Sequence, residues 1–194
     1  MKTIDIFKEK PFYTKPNLDD MGFSWYQIKK LVEDGILEKL NNHVYESKVY
    51  EEVVNDFNYV NVFIPDGVIC KLSAANYYGY TNFMPRSINV AVPYDKKINN
   101  LPDYPPIKLY YPKGNRYSSD IIEISTKLDH FKIYSKEKTV CDILINKNKF
   151  DAEETKNVLK GYLNDSDRDL NKLYKLAVDL KCEKILRTYM EVLL

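Results

Sequence analysis

The residues best suited to chemistry lie together near the N-terminus, in Ser24-Trp25-Tyr26-Gln27-Ile28-Lys29-Lys30. Glutamine can pair with adenine through two hydrogen bonds, lysine can contact guanine or a phosphate, and a helix N-terminus favours a phosphate. As a helix capped by Ser24, the segment turns Trp25, Tyr26, Gln27, Lys29 and Lys30 outward, a set that fits a major groove. Asn41-Asn42-His43, flanked by Lys39, would act as a wing on the neighbouring backbone or minor groove. Against this, residues 1–48 carry eight lysines and eight carboxylates, so strong non-specific DNA affinity is not expected. A small helical domain used for protein contact has the same outline. A second candidate is Lys127, Lys132, Lys136, Lys138, Lys147 and Lys149, which face only Asp129, Glu137 and Asp142 in sequence. Such a run makes either a basic surface for nucleic acid or an acidic partner, or a plain solvated face.

Other patterns point away from catalysis. Asp165-Ser-Asp-Arg-Asp169 opens like a calcium loop, but Leu170 stands where glycine is required and Leu176 where glutamate is required, so it reads as a polar turn capping the next helix. Ser135-Lys-Glu-Lys138 matches S-x-x-K without its companion motifs, and Ser135 suits a helix N-cap. Cys70 and Cys141 fall in apolar stretches as small hydrophobes, and with Cys182 they form no C-x-x-C pair. Glu153 and Glu154 are adjacent and do not share a helix face. His43 and His130 have no Cys or His at ligand spacing, and the six glycines form neither G-x-G nor a P-loop. No catalytic residue, metal site or cofactor is expected, and the chain is read as a non-enzyme.

The elements that must position these residues divide the chain at about residue 48. Before it, a short helix from Thr3, with Ile4, Phe7 and Ile6 inward, ends at Pro11; a second covers Asn17 to Met21; a third runs from Trp25 to Asp34 with Ile28, Leu31 and Val32 inward. Gly22 and Gly35 close the second and third helices. Ile36–Leu40 and Val44–Tyr45 then form a hairpin about the asparagine turn. This is the order of a winged helix-turn-helix. After a helical link at 50–57 and a turn at Ile64-Pro65-Asp66-Gly67, Val68–Tyr78 reads as a buried helix. Strands follow at 87–92, 107–111, 121–125 and 131–134, the first two bounded by Pro93, Pro102, Pro105, Pro106 and Pro112. Helices then cover roughly 136–147, 151–163, 168–180 and 182–193. The fold class is α+β: an N-terminal winged helix over 1–48 and a small mixed α+β domain over 49–194 that ends in a helical bundle.

With 194 residues, 44% of them hydrophobic, and 29 basic against 28 acidic groups, the chain has ample material for a core. It shows no membrane-spanning stretch and no signal-peptide h-region, and its three cysteines fit a reducing compartment. A cytoplasmic location is expected.

Three stretches in order carry a resemblance: MGFSWYQIKKLVEDGILEKLNNHVYES, IPDGVICKLSAANYYGYT and IYSKEKTVCDIL. Together they resemble AbiEi-type antitoxins of bacterial abortive-infection toxin–antitoxin systems, which defend against phage, over nearly the whole chain. The match departs at the wing, where that family often has Gly and Arg and this chain has Asn41, Asn42 and His43. The resemblance implies an N-terminal winged helix that represses its own operon at inverted repeats in promoter DNA, with two copies on the operator. It further implies a C-terminal domain that counteracts a nucleotidyltransferase-like toxin of the AbiEii type, without requiring a stable complex, a type IV arrangement. A protein-interaction module without DNA binding is the competing class.

Overall fold

Local rules of capping and alternation account for most of the architecture in the computed structural model, which describes residues 2–125 and 130–193. The first unit runs α1 (Lys2–Asp5), a 3-10 turn at Ile6–Lys8, β1 (Phe12–Thr14), α2 (Lys15–Asp20), α3 (Trp25–Glu33), β2 (Leu37–Lys39) and β3 (Val44–Ser47). Thr14 caps α2 and Ser24 caps α3, each through a reciprocal box with the residue three positions on. The strands form an antiparallel sheet in the order β1-β3-β2. Phe7, Tyr13, Leu18, Ile28, Leu31, Leu37 and Tyr45 make one core, so α3 buries a single stripe and leaves its other side in solvent.

The second unit opens with α4 (Asp56–Phe63), β4 (Val68–Ile69), α5 (Lys71–Tyr77), β5 (Ile88–Ala91) and β6 (Ile107–Tyr110). It continues with α6 (Asn115–Ser118), β7 (Ile121–Ser125) and β8 (His130–Tyr134), then α7 (Lys136–Ile145), α8 (Ala152–Asn164), α9 (Leu170–Asp179) and α10 (Glu183–Leu193). Its sheet has the order β6-β5-β4-β8-β7; β5–β6 and β4–β8 are parallel, and β4–β5 and β7–β8 antiparallel. Alternation sends Ile69, Val90 and Ile133 to one face, against Val60 of α4 and Ile64 just after it, and sends Val68, Cys70, Ala91 and Tyr134 to the other. The four C-terminal helices bury Val140, Leu144, Val158, Tyr162, Leu173 and Leu186 among themselves. The chain is a mixed α+β protein with two sheets. Among the described residues no helix is long and apolar enough to cross a membrane. Phe12 meets Tyr59 edge-on at 4.7 Å, and the Tyr59 hydroxyl donates to Glu46 at 2.5 Å, joining the two units.

The structure corrects several sequence expectations. The helix placed at 50–57 lies instead at Asp56–Phe63, because the Asn55 side chain accepts from Phe57 N at 2.9 Å and caps the chain there. The stretch read as one helix over 68–78 begins as β4; Val68 and Ile69 pair with β5 and β8 before helix α5 begins at Lys71. A short apolar run suits a buried strand as well as a helix, and here sheet pairing decides. Strand β1 was not expected, since three residues between Pro11 and Pro16 show no usable alternation. Helix α2 starts at Lys15, earlier than expected, because Pro16 is tolerated in the first turn. In the first helical stretch Phe7 is buried, but Ile4 stays 38% exposed.

Candidate functional site

Helix α3 presents an unusual outer face. Ile28 and Leu31 hold it on the core, while Trp25 and Tyr26 are 68% and 72% exposed and Gln27, Lys29 and Lys30 are exposed beside them. The turn Met21–Ser24 separates α2 from α3 and is closed by Gly22 at φ +86 and by Phe23 N donating to Leu18 O at 3.0 Å. Gln27 is partly committed: its Oε1 accepts from Ser24 N and from Ser24 Oγ, each at 2.8 Å. Only its Nε2 is then free to meet a ligand, so in this arrangement Gln27 can donate but cannot pair bidentately with adenine. Lys29 lies 5.7 Å from the Trp25 ring centre and 3.6 Å from Glu33, which draws it along the helix. Lys30 is exposed and extends from the same helix.

The hairpin tip is similarly divided. Asn41 Oδ1 accepts from His43 N at 2.7 Å and Val44 N at 2.8 Å, so this side chain shapes the turn. The residues presented to solvent are Asn42, His43 and Lys39. His43 O also accepts from Lys15 N at 2.8 Å, which ties the tip to the start of α2.

The six lysines grouped by sequence do not form one surface. Lys138 is fully buried and pairs with Asp142 at 2.5 Å, its ammonium 3.9 Å from the Tyr134 ring centre. Helical spacing of four residues brings that pair together, and the apolar face of α7 carries it inward. Lys136 pairs with Asp165 at 2.7 Å, and Lys132 donates to Pro65 O at 2.9 Å. Lys147 and Lys149 are exposed at the end of α7, and Lys127 lies outside the described residues. The S-x-x-K motif is structural: Ser135 Oγ accepts from Lys138 N at 3.1 Å and also bonds Asp120. In the acidic turn, Asp165 accepts from Tyr80 and Lys136, and Asp169 caps α9 by accepting from Lys172 N at 2.9 Å.

A concavity of about 610 Å³ that sequence reasoning missed opens on the second sheet. Lys71 and Cys70 at the end of β4, Tyr110 and Tyr111 at the end of β6, Lys113 and Arg116 around α6, Asp142 and Lys149 from the α7 region, and Asp179 at the end of α9 with Lys181 just beyond it line it. Lys71 is only 5% exposed, stands 3.9 Å from the Tyr110 ring centre, and forms no ion pair with any described residue. Burial pulls its pKa below the ordinary lysine value, and burial pushes the neighbouring Cys70 thiol up. Lys71 and Lys181 have φ of +52 and +61, a conformation that costs a residue with a Cβ about 1 kcal/mol or more. Both strained lysines line this one pocket. The available sequence signal was a lone lysine inside the apolar run Gly67-Val-Ile-Cys-Lys-Leu-Ser-Ala-Ala75.

No protein-family model matches the chain, and no curated protein matches it. Among solved structures, the chain is similar to the RV2827C protein from Mycobacterium tuberculosis, known from its crystal structure. The TM-score is 0.60 at 14% identity, over 89% of this chain and 70% of that one. At that identity the likeness is one of fold.

Proposed function

We propose that this protein is a DNA-binding autorepressor, with residues 1–48 acting as a winged helix-turn-helix and the remainder as the antitoxin domain of an abortive-infection toxin–antitoxin pair. The observation that carries the DNA-binding reading is the outer face of α3, where Trp25, Tyr26, Gln27 and Lys30 stand in solvent on a helix fixed from behind by Ile28 and Leu31. In this reading the α3 N-terminus approaches a phosphate, Gln27 Nε2 donates to one base acceptor, and Lys30 contacts the backbone. Trp25 and Tyr26 pack on sugar or on a thymine methyl. Lys39, Asn42 and His43 meet the adjoining backbone from the hairpin. Two copies on an inverted repeat would place their α3 helices in successive major grooves. The antitoxin role, directed against a nucleotidyltransferase-like toxin, rests on the three-segment resemblance.

The test is fluorescence anisotropy of the full chain with its own upstream promoter fragment and with a scrambled duplex, across a salt series. The expected result is tighter, salt-sensitive binding to the promoter, with Lys30→Ala reducing the salt slope by about one. Two exposed aromatics on a charge-balanced unit also suit a protein contact. Equal binding to both duplexes at physiological salt would favour that second reading and remove the repressor assignment.

A further inference from the structure

The pocket on the second sheet is separate from the α3 face, and its chemistry points to a ligand. Lys71 is the central fact. As a residue it is only 5% exposed, yet its ammonium has no carboxylate within ion-pair reach among the described residues, and the faces of Tyr110 and Phe150 stand 3.9 and 5.9 Å from it. A buried cation without a counter-ion is costly unless an anion completes it. Lys113, Arg116, Lys149 and Lys181 line the same space, and the carboxylates there are Asp142 and Asp179. Asp142 is already neutralised by Lys138 at 2.5 Å. The pocket therefore holds a marked excess of positive charge in a chain that is nearly neutral overall.

We propose that this pocket binds a small phosphate ester of mononucleotide size, with its terminal phosphate reaching Lys71. The volume of about 610 Å³ lies in the ordinary range for small-molecule sites. Depth selects the class of anion. A terminal phosphate, free on three sides, can pass down to the ammonium of a residue that is itself nine-tenths buried, whereas a backbone phosphodiester carries a sugar on each side and stays at the rim. Arg116 offers a planar fork for a second phosphoryl group. Tyr111, 42% exposed on the pocket wall, offers a face on which a base can stack.

Isothermal titration calorimetry of the full chain at low salt tests this, with ATP, pyrophosphate, inorganic phosphate and a single-stranded oligonucleotide lacking terminal phosphates as separate titrants. ATP and pyrophosphate should bind saturably and the oligonucleotide should not compete. Lys71→Met should weaken ATP about tenfold or more and Arg116→Gln by about three- to tenfold, as expected for losing one charge-assisted contact each. Lys156→Gln, on the exposed side of α8, should leave binding unchanged. Arg116 is exposed, so its variant reports on binding even if Lys71→Met perturbs folding. Absence of saturable ATP and pyrophosphate binding overturns the proposal, as does equal affinity in the Lys71 and Arg116 variants or displacement of ATP by the oligonucleotide.

Discussion

Replacing Gln27 with Glu separates the capping role of this side chain from the DNA contact proposed for it. Gln27 Oε1 holds the reciprocal cap by accepting from Ser24 N and Ser24 Oγ, both at 2.8 Å, while Nε2 remains available to donate. Glutamate keeps the accepting oxygen, is favoured at this position of a capping box, and places negative charge at a helix N-terminus, so folding stability should hold or rise by a few tenths of a kcal/mol. On DNA the same change removes the donor and sets a carboxylate against base acceptors and phosphates. Loss of one single-donor base contact is worth about 0.5–1.5 kcal/mol, or roughly 2- to 12-fold in affinity for the promoter fragment. Gln27→Ala is the complement: it loses the cap bond, about 1 kcal/mol of stability, together with the same base contact. Urea denaturation measures the first quantity and anisotropy on promoter and scrambled duplexes the second. Promoter binding by Gln27→Glu that equals the parent chain would refute the placement of Gln27 against DNA, because stability could not mask that result.

Three further perturbations probe the second unit. Asp142→Asn should destabilise by about 3–5 kcal/mol in urea, because it strands the fully buried Lys138 ammonium, and adding Lys138→Met should restore most of that loss. Gly161→Ala gains helix propensity of about 1 kcal/mol, yet the new Cβ would lie 2.5 Å from Tyr80 Cα and 2.8 Å from Tyr80 O, so a net loss of about 2 kcal/mol is expected in thermal unfolding. Asp165 has its carboxyl held down to about 2 by Lys136, Tyr80 and the Asp167 amide. A depressed folded-state value adds stability above the unfolded pKa that is lost as pH falls toward the folded one. The parent chain should thus lose stability more steeply than Asp165→Asn between about pH 4 and 2, as followed by circular dichroism.

What the sequence disclosed follows from how local each cause is. Ser24, Gly22 and Gly35 mark α3 and its neighbours by caps and a left-handed residue, effects decided within four positions, and the helix appears where those signals put it. The strands at 88–91, 107–110, 121–125 and 130–134 were legible from β-branched and aromatic runs, the first two of them bounded by prolines. Val68 and Ile69 were not, since two residues have no period and their state depends on partners in β5 and β8, about 20 and 60 positions away. The same limit governs Gly161, whose identity is fixed by the Tyr80 backbone pressing on α8.

The candidate sites divide along the same line. The α3 face was visible because one helix supplies all of it, although the partial commitment of Gln27 and the inward turn of Asn41 emerge only from hydrogen bonds. The lysine group at 127–149 was misleading for the converse reason: proximity in sequence suggested a patch, whereas α7 turns Lys138 into the core and β8 directs Lys132 to Pro65 O. The basic pocket takes Lys71, Lys113 with Arg116, Lys149 and Lys181 from four separate segments, so no window of sequence contains it. Charge balance over a segment therefore says little about field in a concavity. A chain with 29 basic and 28 acidic groups can still concentrate cations where its acids are already paired, as Asp142 is with Lys138. The pairing that makes Lys138 inert as a surface charge is what leaves the pocket positive, and breaking it from the Lys138 side would expose Asp142 to Lys71 and weaken the field an anion meets there.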